Sequence, residues 1–278
     1  MADEMNLEFE EVKFQDIGQD EFPVEEDDPL DALPPAKKSM VLFFVIDVSS
    51  SMKGEKIKTL NEAMRDVLPE LIGVGGTETN IQVAVLAFSS GFEWITAEPM
   101  ILEEYQNWRD LDADGVTDLG AALTELNSKM SRKSFLQSPS LSFAPVIFLM
   151  TDGCPTDNYK AGLELLRKNN WFKNGIKIAL ALGKSVDMEV LEEFTGDKEF
   201  VLTANNVSQL RKLVRAISVT SSQIGSTSSP VSGGSSELTA EDVNGRKQDM
   251  MKDALLDIKQ DIMLDDAAEG VDSYDAGW

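Results

Sequence analysis

The amino-acid sequence predicts a doubly wound α/β domain, with a mainly parallel central sheet, one antiparallel edge strand and helices on both faces. Two observations support this fold class. Three stretches, at residues 39–48, 144–152 and 176–183, are mostly apolar, which is typical of strands buried on both faces of a parallel sheet. Segments with a helical spacing of apolar residues separate them, and such alternation of strands and helices favours a parallel sheet.

The predicted elements follow one another in the order that this sheet requires. A first strand at 39–48 precedes a helix at 55–72, in which apolar residues recur every three or four positions. Two strands at 80–89 and 92–100 come next, and the second is expected to form the antiparallel edge because it breaks the alternation. The remaining predicted elements are a helix at 118–133, a strand at 144–152, a helix at 159–172, a strand at 176–183, a helix near 187–194, a strand at 199–203 and a helix at 206–218.

Charge is distributed unevenly and divides the chain into four segments. The net charge is −24, of which −10 falls on residues 1–38 and −8 on residues 237–278. A Pro-rich stretch ends the first segment, and a Ser/Gly-rich stretch precedes the last. We therefore predict an acidic tail with an apolar docking motif at 1–38, a folded domain at 39–224, a linker at 225–236 and an acidic, amphipathic helical tail at 237–278.

The composition argues against several classes of function. A net charge of −24 makes nucleic acids and anionic membranes unfavourable partners. The chain has no histidine, which is the usual general base and a common zinc ligand, and its single cysteine cannot form an intrachain disulfide. The opening residues do not resemble a signal peptide, and the longest apolar run is too short to cross a bilayer. These features predict a soluble, cytoplasmic protein.

Oxygen-bearing side chains follow the predicted strands at the points where the strands end. Asp47 ends the first strand, and Ser49 and Ser51 follow it at alternate positions. Thr117 precedes a predicted helix, and Asp152 ends another apolar strand. In doubly wound sheets, ligands bind beyond the carboxyl ends of the strands, so these five side chains are expected to converge. Carboxylates and hydroxyls suit a hard cation, which predicts a site for Mg²⁺ or Mn²⁺.

Three sequence motifs resemble the metal-binding loops of von Willebrand factor A domains, such as integrin I domains. They are DVSSSM at 47–52, GVTDLGAAL at 115–123 and FLMTDGCPTD at 148–157. The resemblance covers roughly residues 39–220 and implies a metal-ion-dependent adhesion site (MIDAS). It further implies that Ser49, Ser51 and Thr117 coordinate the ion, that Asp47 and Asp152 act directly or through water, and that an acidic residue of a partner protein completes the shell.

Within this family, the motifs TDLGAAL and FLMTDGCPTD are similar to those of bacterial stand-alone TerY-type proteins. That likeness implies an intracellular role in tellurite resistance or stress response, beside a Ser/Thr kinase and a phosphatase. The resulting prediction is a binding module and not an enzyme. Two alternatives stay open, namely a metal-independent scaffold that recruits partners through its acidic tails, and a Mg²⁺-dependent phosphate-ester hydrolase. The absence of histidine, and of an evident lysine or arginine beside the loops, disfavours the hydrolase.

Plainer explanations exist for each candidate residue taken alone. Ser50, Ser51 and Thr117 are placed where helix caps occur. Asp152 precedes a glycine, as in many turns. Cys154 has no histidine to activate it and is expected to be a small packed residue.

The C-terminal tail is predicted to form a helix from about Thr239 to Leu264. An apolar stripe runs along it, and we favour binding of a partner to this stripe over packing on the domain itself. The stripe consists of Met251, Leu255, Ile258 and Ile262. A tail acid that occupies the protein's own metal would block the partner, which is a further hypothesis from the charge distribution.

Overall fold

The computed structural model describes residues 37–76, 79–105, 107–138, 140–183, 186–227 and 240–272. The chain divides into two compact units, Met1–Pro35 and Ala36–Trp278, and every described residue belongs to the second. The predicted docking motif in the acidic N-terminal tail lies outside the described residues, as does the linker from residue 228 onwards.

A seven-stranded sheet forms the centre of the second unit. The strands are β1 (Lys38–Asp47), β2 (Thr79–Ser89), β3 (Gly91–Trp94), β4 (Met100–Ile101), β5 (Val146–Thr151), β6 (Ile176–Leu182) and β7 (Val201–Ala204). Their order is β3-β2-β1-β5-β6-β7, and β4 pairs with β2 beside β3. Only β3 and β4 run antiparallel to their neighbour, and the other pairs are parallel. The predicted fold class is confirmed.

In the described ranges, seven α-helices cover the two faces of the sheet. They are α1 (Glu55–Glu70), α2 (Leu119–Lys129), α3 (Tyr159–Lys168), α4 (Asn170–Asn174), α5 (Met188–Thr195), α6 (Val207–Thr227) and α7 (Ala240–Asp272). The central strand β1 contributes to both faces, because successive side chains of a strand point in opposite directions. Phe44 packs in the core with α1, α6 and α7, whereas Phe43 packs in the core with α2 to α5, and both are fully buried.

Two predicted elements are interrupted in the structure. The predicted strand at 92–100 separates into β3 and β4, since the hydroxyl of buried Thr96 accepts the N–H of Val85 at 3.0 Å in place of a backbone carbonyl. The predicted helix at 159–172 separates into α3 and α4 at Asn169, whose backbone is extended and whose side chain caps α4 by accepting the N–H of Trp171. Both interruptions come from polar side chains that replace backbone hydrogen bonds.

The C-terminal helix packs on its own domain. Met251 and Leu255 of α7 are buried in the core, and Ile258 and Ile262 pack against it. Lys252 adds ion pairs to Asp197 at 2.7 Å and to Glu199 at 2.9 Å. The expectation that this stripe binds a partner is therefore wrong, because the domain already covers it. The exposed side of α7 instead carries a row of acids, which is Asp249, Asp253, Asp257 and Asp261.

Candidate metal centre

The candidate centre lies where the order of the strands reverses. β1 is flanked by β2 on one side and β5 on the other, so the loops after β1 and β5 lead away in opposite directions and leave a crevice. Asp47 is the last residue of β1, and Asp152 directly follows β5. A short 3₁₀ turn at Ser50–Met52 brings the serines back over the end of β1. The fold thus places both carboxylates at one edge of the sheet.

Hydrogen bonds connect four of the five predicted site residues or hold them in place. The Oγ atoms of Ser49 and Ser51 lie 2.9 Å apart, and Ser51 donates to Oδ1 of Asp152 at 2.7 Å. The backbone N–H of Ser49 donates to Oδ1 of Asp47 at 2.8 Å. Thr151 donates to the other carboxylate oxygen of Asp47 at 2.5 Å. Both oxygens of Asp47 are therefore fixed in direction.

Thr117 joins the same cluster through the space above Gly153. A side-chain carbon built on Gly153 would lie 3.3 Å from Oγ of Ser51, 3.6 Å from Oγ1 of Thr117 and 3.7 Å from Oδ2 of Asp47. Oxygen atoms of the DVSSSM loop and of the Thr117 loop thus face a glycine of the third loop. Ser49, Ser51, Thr117 and Asp152 also line one open cavity. The structure brings the five predicted side chains together.

The hydroxyls of the candidate site do not act as helix caps. Gly54 occupies the N-cap position of α1, and Asp118 occupies that of α2 without a capping side-chain hydrogen bond. The carboxylate of Asp157 instead accepts the N–H groups of Gly120 and Ala121, each at 2.9 Å. Ser50, Ser51 and Thr117 are thus not the caps that the plainer explanation expects.

Two residues that support the Thr117 loop were missed at the sequence level. The hydroxyl of Thr156 accepts the N–H of Thr117 at 3.1 Å, and the N–H of Thr156 donates to the carbonyl of Thr117 at 2.8 Å. Asp157 binds the start of α2 as described above. Both residues lie within the motif FLMTDGCPTD, and their polar character immediately after Asp152 is the signal that was available.

Burial makes the two carboxylates electrostatically unfavourable neighbours. Asp47 is 0% exposed and Asp152 is 1% exposed. Burial is the main cause that raises the pKa of Asp47, and the nearby charge of Asp152 raises it further. Hydrogen bonds from Thr151 and Ser49 oppose this shift. A cation in the cavity would relieve the repulsion between the carboxylates.

A lysine stands directly beside the candidate site. The ammonium of Lys56, in the first turn of α1, contacts Oδ2 of Asp152 and lies 3.3 Å from the carbonyl oxygen of Ser51. The expectation that no basic residue lies beside the loops is therefore wrong. The position of Lys56 at the start of the helix that follows the DVSSSM loop was the available signal.

The donor set fits a hard divalent cation. It offers two carboxylates and three hydroxyls, all of them oxygen donors, and two negative charges balance a divalent ion. Within the described part of the chain, no group of three or more His, Cys, Asp or Glu residues could hold a metal, so a site here depends on the hydroxyls. Cys154 lines the same cavity and is exposed, which corrects the expectation that it is packed.

The fold and this oxygen-lined crevice define an α/β domain that gathers side-chain oxygens at the switch point of a parallel sheet. The chain belongs to the von Willebrand factor type A domain family, whose model matches residues 42–216, more than half of its length. Curated relatives include the human inter-alpha-trypsin inhibitor heavy chain H6, 30% identical over 194 residues that make up 66% of this chain. The bovine heavy chain H1 is 29% identical over 161 residues, or 54% of this chain.

The chain corresponds to a small part of these relatives, since the matches cover 13% of heavy chain H6 and 17% of heavy chain H1. These relatives are heavy chains and not TerY-type proteins, so the family is established but the TerY-type likeness is not. Among the described residues, no helix has both the length and the apolar character needed to cross a bilayer.

Solved structures agree with the fold. Proximal thread matrix protein 1 from the mussel byssus is 20% identical, with a TM-score of 0.52 over 67% of this chain and 48% of its own. A von Willebrand factor type A structure from Catenulispora acidiphila is 18% identical, with a TM-score of 0.51 over 66% of this chain and 43% of its own. The mussel protein has also been solved with a zinc-occupied MIDAS motif.

Proposed function

We propose that this domain is a metal-dependent module for binding proteins. Asp47, Ser49, Ser51, Thr117 and Asp152 hold Mg²⁺ or Mn²⁺, and an acidic residue of a partner protein completes the coordination of the ion. The observation that carries the proposal is the convergence of two buried carboxylates and three hydroxyls at the switch point of the sheet. Hydrogen bonds hold Asp47, Ser49, Ser51 and Asp152 there, and Thr117 lines the same open cavity.

Each side chain has a defined part in this proposal. The carboxylate of Asp47 is held by the N–H of Ser49 and the hydroxyl of Thr151, so it presents its charge without rearrangement. The three hydroxyls contribute oxygen atoms but no charge. The bound ion therefore keeps its attraction for an anionic oxygen from outside, and this attraction is the chemistry that the metal supplies.

The choice of ion follows from the donor atoms. Oxygen-only ligation favours Mg²⁺ or Mn²⁺, whereas zinc is usually held by nitrogen and sulfur. The zinc-occupied site in the mussel protein belongs to a protein of 20% identity. It supports the proposal that this kind of site accepts divalent ions, and a titration with all three ions decides among them.

The biological setting is proposed from the motifs. The TerY-type motifs favour a cytoplasmic protein that acts beside a kinase and a phosphatase in tellurite resistance or stress response. The curated relatives are inter-alpha-trypsin inhibitor heavy chains, so they do not favour this TerY-type setting. A binding role without turnover is supported by the lack of any histidine in the chain, which leaves no imidazole as a general base.

Substitution of one carboxylate tests the function. Asp47→Asn keeps the size of the side chain but removes its charge, so we expect Mg²⁺ and Mn²⁺ affinity measured by calorimetry to fall at least tenfold. Partner capture from cell extract should fall with it, and chelator should reduce capture by the native protein to the same level. Asp110→Asn is the matched control, since Asp110 is an exposed acid that pairs with Arg65 and does not line the metal cavity. Capture that survives in chelator contradicts the proposal.

One observation favours the metal-independent scaffold as a second candidate. The exposed row of Asp249, Asp253, Asp257 and Asp261 on α7 repeats like charges every four residues, which destabilises a helix mildly unless a basic surface binds there. If this row recruits the partner, replacing these four residues by asparagine abolishes capture, and Mg²⁺ has no effect. Substitution is preferable to deletion of the tail, because Met251 and Leu255 anchor α7 in the core.

A further inference from the structure

We propose that Lys56 is a built-in counter-ion of the metal site, and that an entering divalent cation displaces its ammonium from Asp152. The inference rests on the proposed metal site, and it adds that the chain regulates metal affinity through one of its own side chains. It accounts for a lysine that has no part in the ligand set but lies within the site.

The contacts of Asp152 carry the first step. Its side chain is 0% exposed, whereas that of Lys56 is 35% exposed. Ser51 donates to Oδ1 of Asp152, and the ammonium of Lys56 contacts Oδ2. Both carboxylate oxygens are thus satisfied when no ion is present, so Lys56 stabilises a buried charge that would otherwise be costly. The folded chain can keep its site formed without metal.

The charges in the cavity carry the second step. Asp47 and Asp152 together supply two negative charges, which one divalent cation neutralises completely. An ammonium that stays on Asp152 would then face the cation at close range, where two positive charges repel strongly. Metal binding and the contact between Lys56 and Asp152 are therefore competing arrangements. Because this contact must break before the ion binds, its free energy reduces the net free energy of metal binding.

The structure also provides a place for the displaced side chain. Lys56 lines the metal cavity and, on its other side, a second cavity formed with Glu55, Thr59, Leu182 and Asn205. The stem of Lys56 passes close to Gly183, where an added side-chain carbon would lie 3.3 Å from Cε. The backbone of Gly183 has φ +99°, which suits glycine, so this passage beside the lysine stays open. A change of rotamer can move the ammonium between the two cavities.

Three variants of the full chain test the inference. Lys56→Met removes the charge and keeps the apolar stem, Lys56→Arg keeps the charge, and Lys58→Met makes the same change two positions away at an exposed lysine that pairs with Glu55. Thermal unfolding in chelator measures the stability of the metal-free state. Calorimetric titration with Mg²⁺ and with Mn²⁺ measures the affinity of the site.

The expected result is a pair of opposite changes. Lys56→Met lowers the unfolding midpoint in chelator, because Asp152 loses its counter-ion, and it tightens metal binding by about tenfold, because the competitor is gone. Lys56→Arg and Lys58→Met stay close to the native protein in both measurements. If Lys56→Met does not fold in chelator, recovery of its folded circular dichroism spectrum by Mg²⁺ or Mn²⁺ supports the inference equally.

Other results would overturn the inference in distinguishable ways. Metal affinity that is weaker or unchanged in Lys56→Met shows that the lysine does not compete with the ion, while the proposed function survives. If Lys56→Met does not fold in chelator and neither ion restores its folded spectrum, the lysine likewise does not compete with the ion. If neither the native protein nor Lys56→Met binds Mg²⁺ or Mn²⁺, the proposed function and the inference both fall.

Discussion

Gly153 lies in the loop after β5 and faces oxygen atoms of the other two loops of the candidate centre. An added methyl group would be in tight contact with Oγ of Ser51 at 3.3 Å and in ordinary contact with Thr117 and Asp47. The backbone at this position does not require glycine, since its φ angle is not positive. The residue therefore keeps space open among the oxygen atoms.

We predict that Gly153→Ala retains the fold but weakens binding of Mg²⁺ or Mn²⁺ by at least tenfold, because the methyl group enters the space that an ion needs. Calorimetric titration measures this loss, and circular dichroism verifies the fold. Gly245→Ala in α7 is the control, because nothing lies within 4 Å of its added carbon. That change should leave metal affinity unaltered, and alanine in place of a helical glycine adds about 0.5–1 kcal/mol of stability. Native affinity in Gly153→Ala contradicts the role of this space.

The residues of the site differ in how far the sequence reveals them. Asp47 and Asp152 end apolar strands, and parallel strands end at one edge of a sheet, so their meeting follows from periodicity and topology. Lys56 is revealed only in part, because the sequence places it just after the DVSSSM loop but does not show its contact with Asp152, which lies 96 positions away. Thr151 belongs to a strand, and only the final geometry turns its hydroxyl towards Asp47.

At the scale of elements, the start of α2 depends on a side chain from another loop. Asp157, from the loop after β5, accepts two of the N–H groups in the first turn of this helix, those of Gly120 and Ala121. The same helix begins two residues after Thr117, at Leu119. The capping contact therefore holds two of the three metal-site loops at a fixed distance.

We predict that Asp157→Ala lowers the free energy of unfolding by about 0.5–2 kcal/mol through loss of the cap, and also weakens metal binding because the Thr117 loop is released. Denaturation and calorimetry measure the two effects. Asp187→Ala is a matched control, since Asp187 caps α5 by accepting the N–H of Glu189 but does not line the metal cavity. It should lose comparable stability and keep its metal affinity. Equal metal affinities in the two variants would show that the Asp157 cap is purely structural.

At the same scale, buried side chains attach α7 to the core of the domain. Leu255 is buried and the next residue, Leu256, is 57% exposed. We predict that Leu255→Ala destabilises the folded unit by about 2–5 kcal/mol, because it leaves a cavity in the core. Leu256→Ala should change stability by less than about 0.5 kcal/mol. Chemical denaturation compares the two, and similar values would mean that α7 is not anchored as described.

Helices and strands were largely predictable, whereas their interruptions were not. Apolar periodicity continues across Asn169, so residues 159–172 have the pattern of a single helix. The break arises because Asn169 also donates to the carbonyl of Met130 in another part of the chain, at 3.0 Å. The apolar stripe of α7 was visible in the sequence, but not the surface that covers it. That surface combines the preceding helix, α6, with the turn at Lys198–Phe200, which is distant from α7 in the chain.

At the scale of the whole molecule, a net charge of −24 acts on every cation in solution. Any salt screens the mutual repulsion of so many acids. An increase in stability with Mg²⁺ therefore has two possible sources, which are this screening and binding of the ion at the candidate centre. Only one of them involves the candidate centre. The two sources respond differently to ionic strength and to the loss of Asp47.

We predict that Mg²⁺ raises the unfolding midpoint beyond the effect of KCl at matched ionic strength, because an ion that binds only the folded state stabilises it. At 100 times the dissociation constant the gain is about 2.7 kcal/mol. Thermal scans with Mg²⁺, with KCl and with chelator separate the contributions. Asp47→Asn should respond to Mg²⁺ and KCl alike. An identical response of the native protein to both salts would place the ions on the acidic surface.

The lone thiol of the chain, at Cys154, has a practical consequence. It is exposed on the wall of the same cavity that Ser49, Ser51 and Thr117 line. A maleimide fluorophore or a nitroxide spin label therefore attaches at a single known place, on the wall of the proposed ion site. Paramagnetic Mn²⁺ bound there would broaden the nitroxide spectrum, which turns a natural side chain into a gauge of occupancy.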